Sequence, residues 1–194
     1  MKAESKRRAA KGWHSRGYLP HFDSPETVQH LVLRAADSLP AAAVAALPEG
    51  SRFQLQRLDE ALDVGHGAGL LRQAGPASIV ETAMLHFDGE RYRLIAWSVM
   101  PNHVHALLAQ ADGFPLDGVV HSWKSFTAHE INKMCARNGQ FWAADYFDRF
   151  VRDEAHFYRT VDYIEQNPVK ARLAAKAADW RFSSARRRAE GDGS

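Results

Sequence analysis

Two histidines stand two residues apart inside an apolar run in the middle of the chain. The run reads Trp97-Ser98-Val99-Met100-Pro101-Asn102-His103-Val104-His105-Ala106-Leu107-Leu108. Because successive side chains of a strand alternate between faces, we expect His103 and His105 on one face and Val104 on the other. The Met-Pro-Asn step before them is typical of a tight turn. Two imidazoles on one face supply half of a divalent-metal site. The alternative interpretation is that the two histidines are exposed on the solvated face of a sheet and bind no metal.

A second segment, residues 153–168, is predicted to form a helix. Asp153 suits the N-cap position. The apolar side chains recur at helical spacing and form a stripe that we expect to be buried: Phe157, Val161 and Ile164. Tyr163 and Asn167 lie four residues apart, so their side chains are neighbours on the flank of this stripe. A phenol and a carboxamide in this position can face a metal held by His103 and His105.

These two side chains also have other interpretations. Tyr163 fits an amphipathic surface tyrosine. If a tyrosine is the nucleophile of this site, Tyr146 and Tyr158 are alternatives to Tyr163, although neither has an amide four residues later. Asn167 precedes Pro168, and Asn followed by Pro is a preferred start of a new helix, in which the carboxamide caps backbone N–H groups. In that case the remaining candidate ligands on this segment are Gln166 and Glu165.

The residue types favour a particular chemistry. Two imidazoles and an amide oxygen suit a hard or borderline ion such as Mg²⁺ or Mn²⁺, whereas a zinc site more often includes Cys or a third His. The single cysteine, Cys135, excludes an internal disulfide and a cysteine cluster. A divalent ion can offset the negative charge of a bound phosphate, and a phenolate such as that of Tyr163 can act as a nucleophile beside it. A free phenol needs help to lose its proton, for which the metal and Lys170 are candidates.

Several motifs, taken in order, resemble the single-tyrosine HUH transposases, and in particular the REP-associated tyrosine transposases. They are Arg16-Gly17-Tyr18-Leu19-Pro20-His21-Phe22, Met100-Pro101-Asn102-His103-Val104-His105, Trp142 with Asp145-Tyr146-Phe147-Asp148-Arg149, Tyr163-Ile164-Glu165-Gln166-Asn167-Pro168-Val169-Lys170-Ala171, and Trp180-Arg181-Phe182-Ser183-Ser184. The resemblance spans residues 13–185. One position departs from it: Arg172 stands where the family usually has glycine, which affects a local turn or helix contact and not the chemistry.

The resemblance implies a metal-dependent endonuclease and strand transferase for single-stranded DNA, acting at hairpin-forming repetitive palindromes. Tyr163 would attack and leave a 5′-phosphotyrosine and a free 3′-hydroxyl, while His103, His105 and Asn167 would hold Mg²⁺ or Mn²⁺. One alternative is a hairpin-binding regulator that does not cleave. Another is a metal-dependent hydrolase of small phosphoesters, which the lack of a second carboxylate or histidine cluster disfavours. Relatives from insertion sequences form dimers, whereas REP-associated members act as monomers. The basic C-terminal tail of this chain resembles the REP-associated members, which favours a monomer.

We predict one domain over residues 13–185, between a flexible basic arm (residues 1–12) and a basic, polar tail (residues 186–194). Residues 39–75 show no regular pattern. The expected elements are a strand at 15–22, helices at 24–38 and 76–87, a hairpin of strands at 91–100 and 103–109, a helix at 117–137, a strand at 147–151, and helices at 153–166 and 168–178. This order predicts an α+β fold, a ferredoxin-like βαββαβ sandwich with an antiparallel sheet and extra C-terminal helices, which the family shares.

The formal net charge is only +2, but Lys and Arg are concentrated at both ends of the chain. Basic ends often contact phosphates, although each end alone also fits a solubilising tail. The candidate DNA contacts are Arg16, Lys124, Arg149, Arg152, Lys170, Arg186 and Arg187. Trp123 and Phe126, beside Lys124, can stack on bases, but their helical spacing favours the core.

The sequence disfavours several other classes. Residues 65–69 are rich in glycine but lack the Lys-Ser/Thr pair of a phosphate loop and the spacing of a dinucleotide motif. We therefore expect a surface loop and no nucleotide cofactor, and the alternative is a loop that approaches DNA. No apolar run reaches membrane-spanning length, and the basic N-terminus lacks the apolar core of a signal peptide. A cytoplasmic protein is therefore the default expectation, and the family resemblance implies work on DNA in the bacterial nucleoid.

Overall fold

The structure is a computed structural model that describes residues 9, 12–15, 20–25, 27–40, 42–43 and 54–191. Its elements in chain order are β1 Gly12–Ser15, β2 Pro20–Asp23, β3 Val28–Arg34, α1 Gln54–Asp63, α2 Ala74–Leu85, β4 Tyr92–Val99, β5 His103–Gln110, α3 Leu116–Met134, β6 Phe147–Phe150, α4 Glu154–Lys170 and α5 Ser184–Ala189. Short 3₁₀ turns lie at Leu70–Arg72 and Ala177–Asp179. Within these described ranges, no helix combines the length and the apolar character needed to cross a membrane.

Four strands form one antiparallel sheet in the order β4-β5-β3-β6, and β1 and β2 form a separate antiparallel hairpin. The strand β5, which carries the histidine pair, lies inside the sheet, and His105 is opposite Val32 of β3 and Ser98 of β4. The first and third strands of the βαββαβ order are therefore adjacent at the centre. This is the ferredoxin-like arrangement that the sequence predicts.

Helices cover both faces of the sheet. On β5, the residues Val104, Ala106 and Leu108 belong to the large core cluster that includes side chains of α2 and α3. The alternate residue Leu107 points the other way and packs with Ile164 of α4. His103 and His105 share this second face, where they are 1% and 0% exposed. The alternative of two histidines on a solvated face is therefore wrong, and burial of both faces explains the continuous apolar run.

The segment after β2 is a strand, and the predicted helix at 24–38 is wrong. The apolar residues of β3 also satisfy helical spacing, but all five of its inner residues are buried, as is typical of an inner strand with both faces covered. Periodicity alone does not separate these two cases. The predicted strand at 15–22 is also wrong, since β1 ends at Ser15 and β2 begins at Pro20. Arg16 lies outside the described residues.

The helix α4 is continuous from Glu154 to Lys170, so the predicted break before Pro168 is wrong. Asp153 caps its first turn as predicted, with Oδ1 accepting a hydrogen bond of 2.7 Å from the backbone N–H of His156. Pro168 lies in the last turn, where it removes a single backbone donor. Asn167 is 2% exposed inside the helix and does not start a new one. Instead of the predicted helix at 168–178, a 3₁₀ turn follows at Ala177–Asp179.

Arg172 ends α4 in the left-handed conformation, with φ at 57°. Its N–H binds the carbonyl of Val169 at 3.0 Å, and the N–H of Leu173 binds the carbonyl of Pro168 at 2.8 Å. These two bonds form a Schellman motif, whose left-handed position is usually occupied by glycine. The glycine expected at this position from the resemblance is thus explained by a local turn.

Replacing Arg172 with Gly should stabilise the protein by about 1 kcal/mol, because a side chain in the left-handed region is strained by about that amount. For a chain of this size the change corresponds to roughly 2–4 °C in Tm, measured by circular dichroism. The matched variant Arg172→Ala removes the guanidinium but keeps the β-carbon, and its Tm should stay close to that of the unsubstituted protein. A lower Tm for the glycine variant than for the alanine variant would contradict this account.

The segment from Trp180 to Ser184 covers the outer edge of β4. Val99 donates its N–H to the carbonyl of Phe182 at 3.0 Å and accepts a bond of 3.0 Å from Trp180 Nε1. The backbone N–H of Trp97 donates to Ser184 Oγ at 3.1 Å. The expected start of the tail at residue 186 falls inside α5, and the division of the chain into arm, domain and tail stays a prediction.

Candidate metal and nucleophile site

The two histidines of β5 bring their ring nitrogens together. His103 Nε2 and His105 Nε2 lie 3.1 Å apart. Burial holds the pKa of His103 well below its usual value and lowers that of His105 to about 3, because an imidazolium is poorly solvated there. Both rings are therefore neutral at pH 7, the state in which imidazole binds metals.

Hydrogen bonds fix the orientation of both rings. His103 Nδ1 lies 2.8 Å from Asn102 Oδ1, and Asn102 Nδ2 donates to the carbonyls of Leu62 at 3.0 Å and His66 at 3.2 Å. Because the carboxamide oxygen only accepts, His103 carries its hydrogen on Nδ1 and keeps a lone pair on Nε2. His105 Nδ1 lies 3.1 Å from Nε2 of His30, a buried residue of β3.

The helix α1 adds a buried carboxylate. Asp59 is 3% exposed, and its Oδ1 lies 3.8 Å from His105 Nε2. This oxygen has no hydrogen-bond partner among the described residues. Burial raises the pKa of Asp59 to about 7. One ligand atom from each of Asp59, His103 and His105 lies within 4.8 Å of the others, which makes this group a candidate metal site.

The helix α4 contributes the two side chains singled out in the sequence. Asn167 Nδ2 lies 3.2 Å from His105 Nε2, and its Oδ1 is buried with no partner in the described part of the chain. The Tyr163 hydroxyl donates a short hydrogen bond to Asp59 Oδ2. Burial, reinforced by the charge of Asp59, raises the pKa of Tyr163, so the phenol keeps its proton at neutral pH. Lys170 Nζ lies 4.3 Å from the centre of the phenol ring.

These groups lie at the base of a cleft of about 550 Å³, which we call the main cleft. Its lining includes His30, Asp59, Tyr163 and Asn167. Other side chains around it are basic or titratable: Arg149, His156, Arg159 and Lys170 on one side, Glu60 and Asp63 on the side of α1. Arg149 lies opposite His30 in the pairing of β6 with β3. The charges of Arg149, Arg152 and Arg159 all act on the neighbouring His156 and lower its pKa, after the effect of burial.

Other predicted contacts lie away from the main cleft. The ammonium of Lys124 binds the carbonyls of Ala143 at 2.6 Å and Ala144 at 2.8 Å. Arg186 forms an ion pair of 2.7 Å with Glu190, and Arg187 follows it on α5. The core prediction for Trp123 is confirmed, but Phe126 is 53% exposed, because the buried stripe of α3 continues through Thr127 and Ile131 at four-residue spacing.

The alternative nucleophiles and the alternative ligand Glu165 lie away from the two histidines. Tyr158 is 63% exposed, and Tyr146 is buried at 2%. Neither lines the main cleft. Glu165 is bound by Ser184 Oγ and by Arg188, so its carboxylate is engaged at α5 and not at the histidines.

Two residues of this site, Asp59 and His30, are not apparent from the sequence. Asp59 belongs to the segment 39–75, where several carboxylates occur and no pattern distinguishes one of them. His30 was placed on a predicted helix, and its strand position next to β5 follows only from the sheet order. A signal for Asp59 exists in retrospect: Leu58 and Leu62 mark a buried helical stripe, and Asp59 is adjacent to it.

Comparison with known proteins bears on the same residues. Residues 80–167 match the family model described as "Transposase IS200 like". This segment of the chain is similar to the IS200-like transposases. It contains His103, His105, Tyr163 and Asn167, whereas His30 and Asp59 precede it.

Two known proteins are also similar to the chain. The REP-associated tyrosine transposase of Escherichia coli (strain K12) is 26% identical over 93 residues, which are 48% of this chain and 54% of the relative. The chain thus matches about half the length of this curated relative. The solved structure of a REP-associated tyrosine transposase bound to a REP hairpin is similar over 88% of this chain and 84% of its own, with a TM-score of 0.60 and 18% identity. The resemblance and the fold class predicted from the sequence are confirmed.

Proposed function

We propose that the protein is a metal-dependent endonuclease and strand transferase for single-stranded DNA, which acts beside hairpin-forming repetitive palindromes through a covalent 5′-phosphotyrosine. One observation carries the proposal: a buried carboxylate, Asp59, bonds the hydroxyl of Tyr163 with one oxygen and faces His105 with the other. A nucleophile and a candidate metal site thus share one side chain at the base of an open cleft. The family match and the solved relative bound to a REP hairpin support this choice of substrate.

The residues present fit a divalent metal. Asp59 Oδ1 and Asn167 Oδ1 are both buried oxygens without a hydrogen-bond partner in the described ranges, beside two neutral imidazoles. We propose that His103 Nε2, His105 Nε2, Asp59 and Asn167 hold the ion. A set of two nitrogens and two oxygens suits Mn²⁺ or Mg²⁺ better than a structural zinc site. When bound, the ion offsets the negative charge of the phosphodiester.

The side chains of α1 and α4 prepare the nucleophile. Asp59 Oδ2 holds the phenolic hydrogen of Tyr163 and fixes the direction of the hydroxyl oxygen. The ammonium of Lys170 over the ring favours the development of negative charge on the phenol. In the transfer, the phenolic oxygen bonds to phosphorus and the bond from phosphorus to the 3′ oxygen breaks. The electron pair leaves with the 3′ oxygen, which gains a proton as the phenol loses one. The phosphotyrosine conserves the bond energy, so rejoining requires no ATP.

The basic side of the main cleft supplies contacts for the DNA backbone. Arg149, His156 and Arg159 line this side, and Arg152 lies close enough to lower the pKa of His156. None of the three arginines forms an ion pair within the described part of the chain. Uncompensated guanidinium groups at the mouth of a cleft attract phosphates and release counterions when DNA binds. Of the contacts predicted from the sequence, we therefore retain Arg149, Arg152 and Lys170.

A panel of single-stranded hairpin oligonucleotides tests the proposed function. Each is incubated with the protein and Mn²⁺ or Mg²⁺, and a denaturing gel shows any protein–DNA adduct. We expect an adduct with at least one hairpin, dependent on the metal, and a released fragment whose length gives the cut position. Tight hairpin binding without any adduct would contradict transfer chemistry and favour a regulator that does not cleave.

His30 is expected to support the site without touching the metal. If His105 binds the ion through Nε2, its Nδ1–H donates to His30 Nε2, which orients the ring. We expect His30→Ala to weaken Mn²⁺ binding by roughly 10–100-fold in calorimetric titrations. The variant His30→Gln keeps a hydrogen-bond acceptor, so its Mn²⁺ affinity should fall less than that of His30→Ala. Equal losses in both variants would contradict a role through this hydrogen bond.

A further inference from the structure

A second cavity borders the candidate metal site at His103. Its volume is about 290 Å³, and we call it the glycine-loop cavity. It lies between the loop of residues 65–69, the turn of residues 100–102 and the end of α4, and His103 is part of its lining. Tyr163 lines only the main cleft, whereas Asp63 borders both spaces. The two spaces therefore share Asp63 as part of their walls.

Contacts place the phenol and the glycine-loop cavity at opposite ends of the site. The phenol of Tyr163 bonds Asp59, Asp59 faces His105, and His105 contacts His103. His103 in turn contacts Asn102, which also lines the cavity. A group that reacts with Tyr163 while it lies at the histidines thus has the glycine-loop cavity on its far side.

The geometry of phosphoryl transfer indicates which part of the substrate would lie in this cavity. The attacking and leaving oxygens are roughly in line across the phosphorus atom. Because Tyr163 attacks from the main cleft, the leaving 3′ oxygen points away from it. We propose that the glycine-loop cavity binds the nucleotide immediately 5′ of the cut, which carries that 3′ oxygen, while the DNA 3′ of the cut lies in the main cleft. This inference rests on the proposed function and assigns the polarity of the strand.

The walls of the cavity suit a nucleotide. Arg72 is exposed on its rim and has no ion-pair partner among the described residues, so its guanidinium is available for a phosphate or a base edge. The loop opposite is held in place before any ligand binds. The N–H of Ala68 donates to Asp37 Oδ2 at 2.9 Å, and that of Leu71 donates to the carbonyl of Pro101 at 3.1 Å. A preorganised wall loses little entropy on binding.

Gly67 explains why the loop needs glycine. Its φ is 86°, and a β-carbon there would lie 2.7 Å from the backbone oxygen of Asp37. The loop therefore approaches the segment after β3 more closely than any other residue would allow. This contact sets one wall of the cavity at a fixed distance from the turn before β5.

Binding of truncated strands tests the proposal. The cut position comes from the adduct experiment with the unsubstituted protein, and binding is then measured by fluorescence anisotropy with Tyr163→Phe as the background, so that no adduct forms. Two oligonucleotides are compared: the complete strand, and a strand that begins at the cut and lacks all 5′ nucleotides. We expect Arg72→Ala to weaken binding of the complete strand about five- to tenfold and to leave the truncated strand unchanged.

The control is Arg93→Ala, which removes an exposed arginine of β4 that lines neither space. We expect Arg93→Ala to weaken binding of both strands only slightly and to the same extent. If Arg72→Ala weakens both strands to the same extent, or affects neither more than Arg93→Ala does, the proposed subsite is wrong even though an adduct forms. If the unsubstituted protein forms no adduct on any hairpin, the proposed function fails and the subsite falls with it.

Discussion

Replacing Tyr163 with Phe should abolish the covalent protein–DNA adduct while hairpin binding persists. The variant removes one oxygen atom and leaves the ring packed beside His30 and His105, so the cleft keeps its shape. Loss of a nucleophile reduces turnover by several orders of magnitude, and we expect at least about a 10³-fold fall in adduct formation. A denaturing gel measures the adduct, and anisotropy measures binding to the same hairpin.

Tyr158→Phe is the matched control. It makes the same chemical change on the same helix, at a side chain that is 63% exposed and outside the main cleft. Its adduct yield should equal that of the unsubstituted protein. If the adduct survives in Tyr163→Phe and disappears in Tyr158→Phe, the nucleophile has been assigned to the wrong tyrosine.

Replacing either His103 or His105 with Ala should remove metal binding and, with it, cleavage. A ligand contributes more than a supporting hydrogen bond, so we expect Mn²⁺ affinity to fall by more than about 100-fold. Calorimetric titration measures the affinity without reference to activity. Hairpin binding in the absence of metal should change little, because the arginines around the main cleft are untouched.

His121→Ala controls for the loss of an imidazole, since His121 is exposed on α3, on the opposite side of the sheet. Both buried substitutions also leave a cavity, so the Tm of each variant is measured before the titration. Metal affinity that stays unchanged in a folded His103→Ala or His105→Ala protein would remove that residue from the site.

The parts of the site that the sequence reveals are those encoded by local spacing. The alternation of His103, Val104 and His105 fixes a shared face, and the four-residue step from Tyr163 to Asn167 fixes a shared flank of one helix. Their meeting needs only that α4 packs on that face of the sheet. The capping of α4 by Asp153 is likewise local and was predicted for the same reason.

The parts that the sequence conceals depend on long-range pairing or on competing local preferences. Residues 28–35 satisfy helical and strand patterns equally, and pairing with β5 decides in favour of the strand, which brings His30 to the site. The Asn167–Pro168 pair favours a helix start locally, but the buried contact of Asn167 with His105 accompanies a continuous helix. Among the carboxylates of residues 39–75, Asp59 is distinguished only by the packing of Leu58 and Leu62 on the sheet.

The covering of β4 by the segment around Phe182 has a consequence for folding during translation. The bond between Trp180 and Val99 joins residues 81 positions apart. At about 5–20 residues per second, a ribosome needs roughly 4–16 seconds to add them. Once β5 has been made and has paired with β4, the outer edge of β4 stays unpaired for the rest of this interval and is a template for pairing with neighbouring chains on the same message. The residues that end this exposure are among the last of the described fold to be translated.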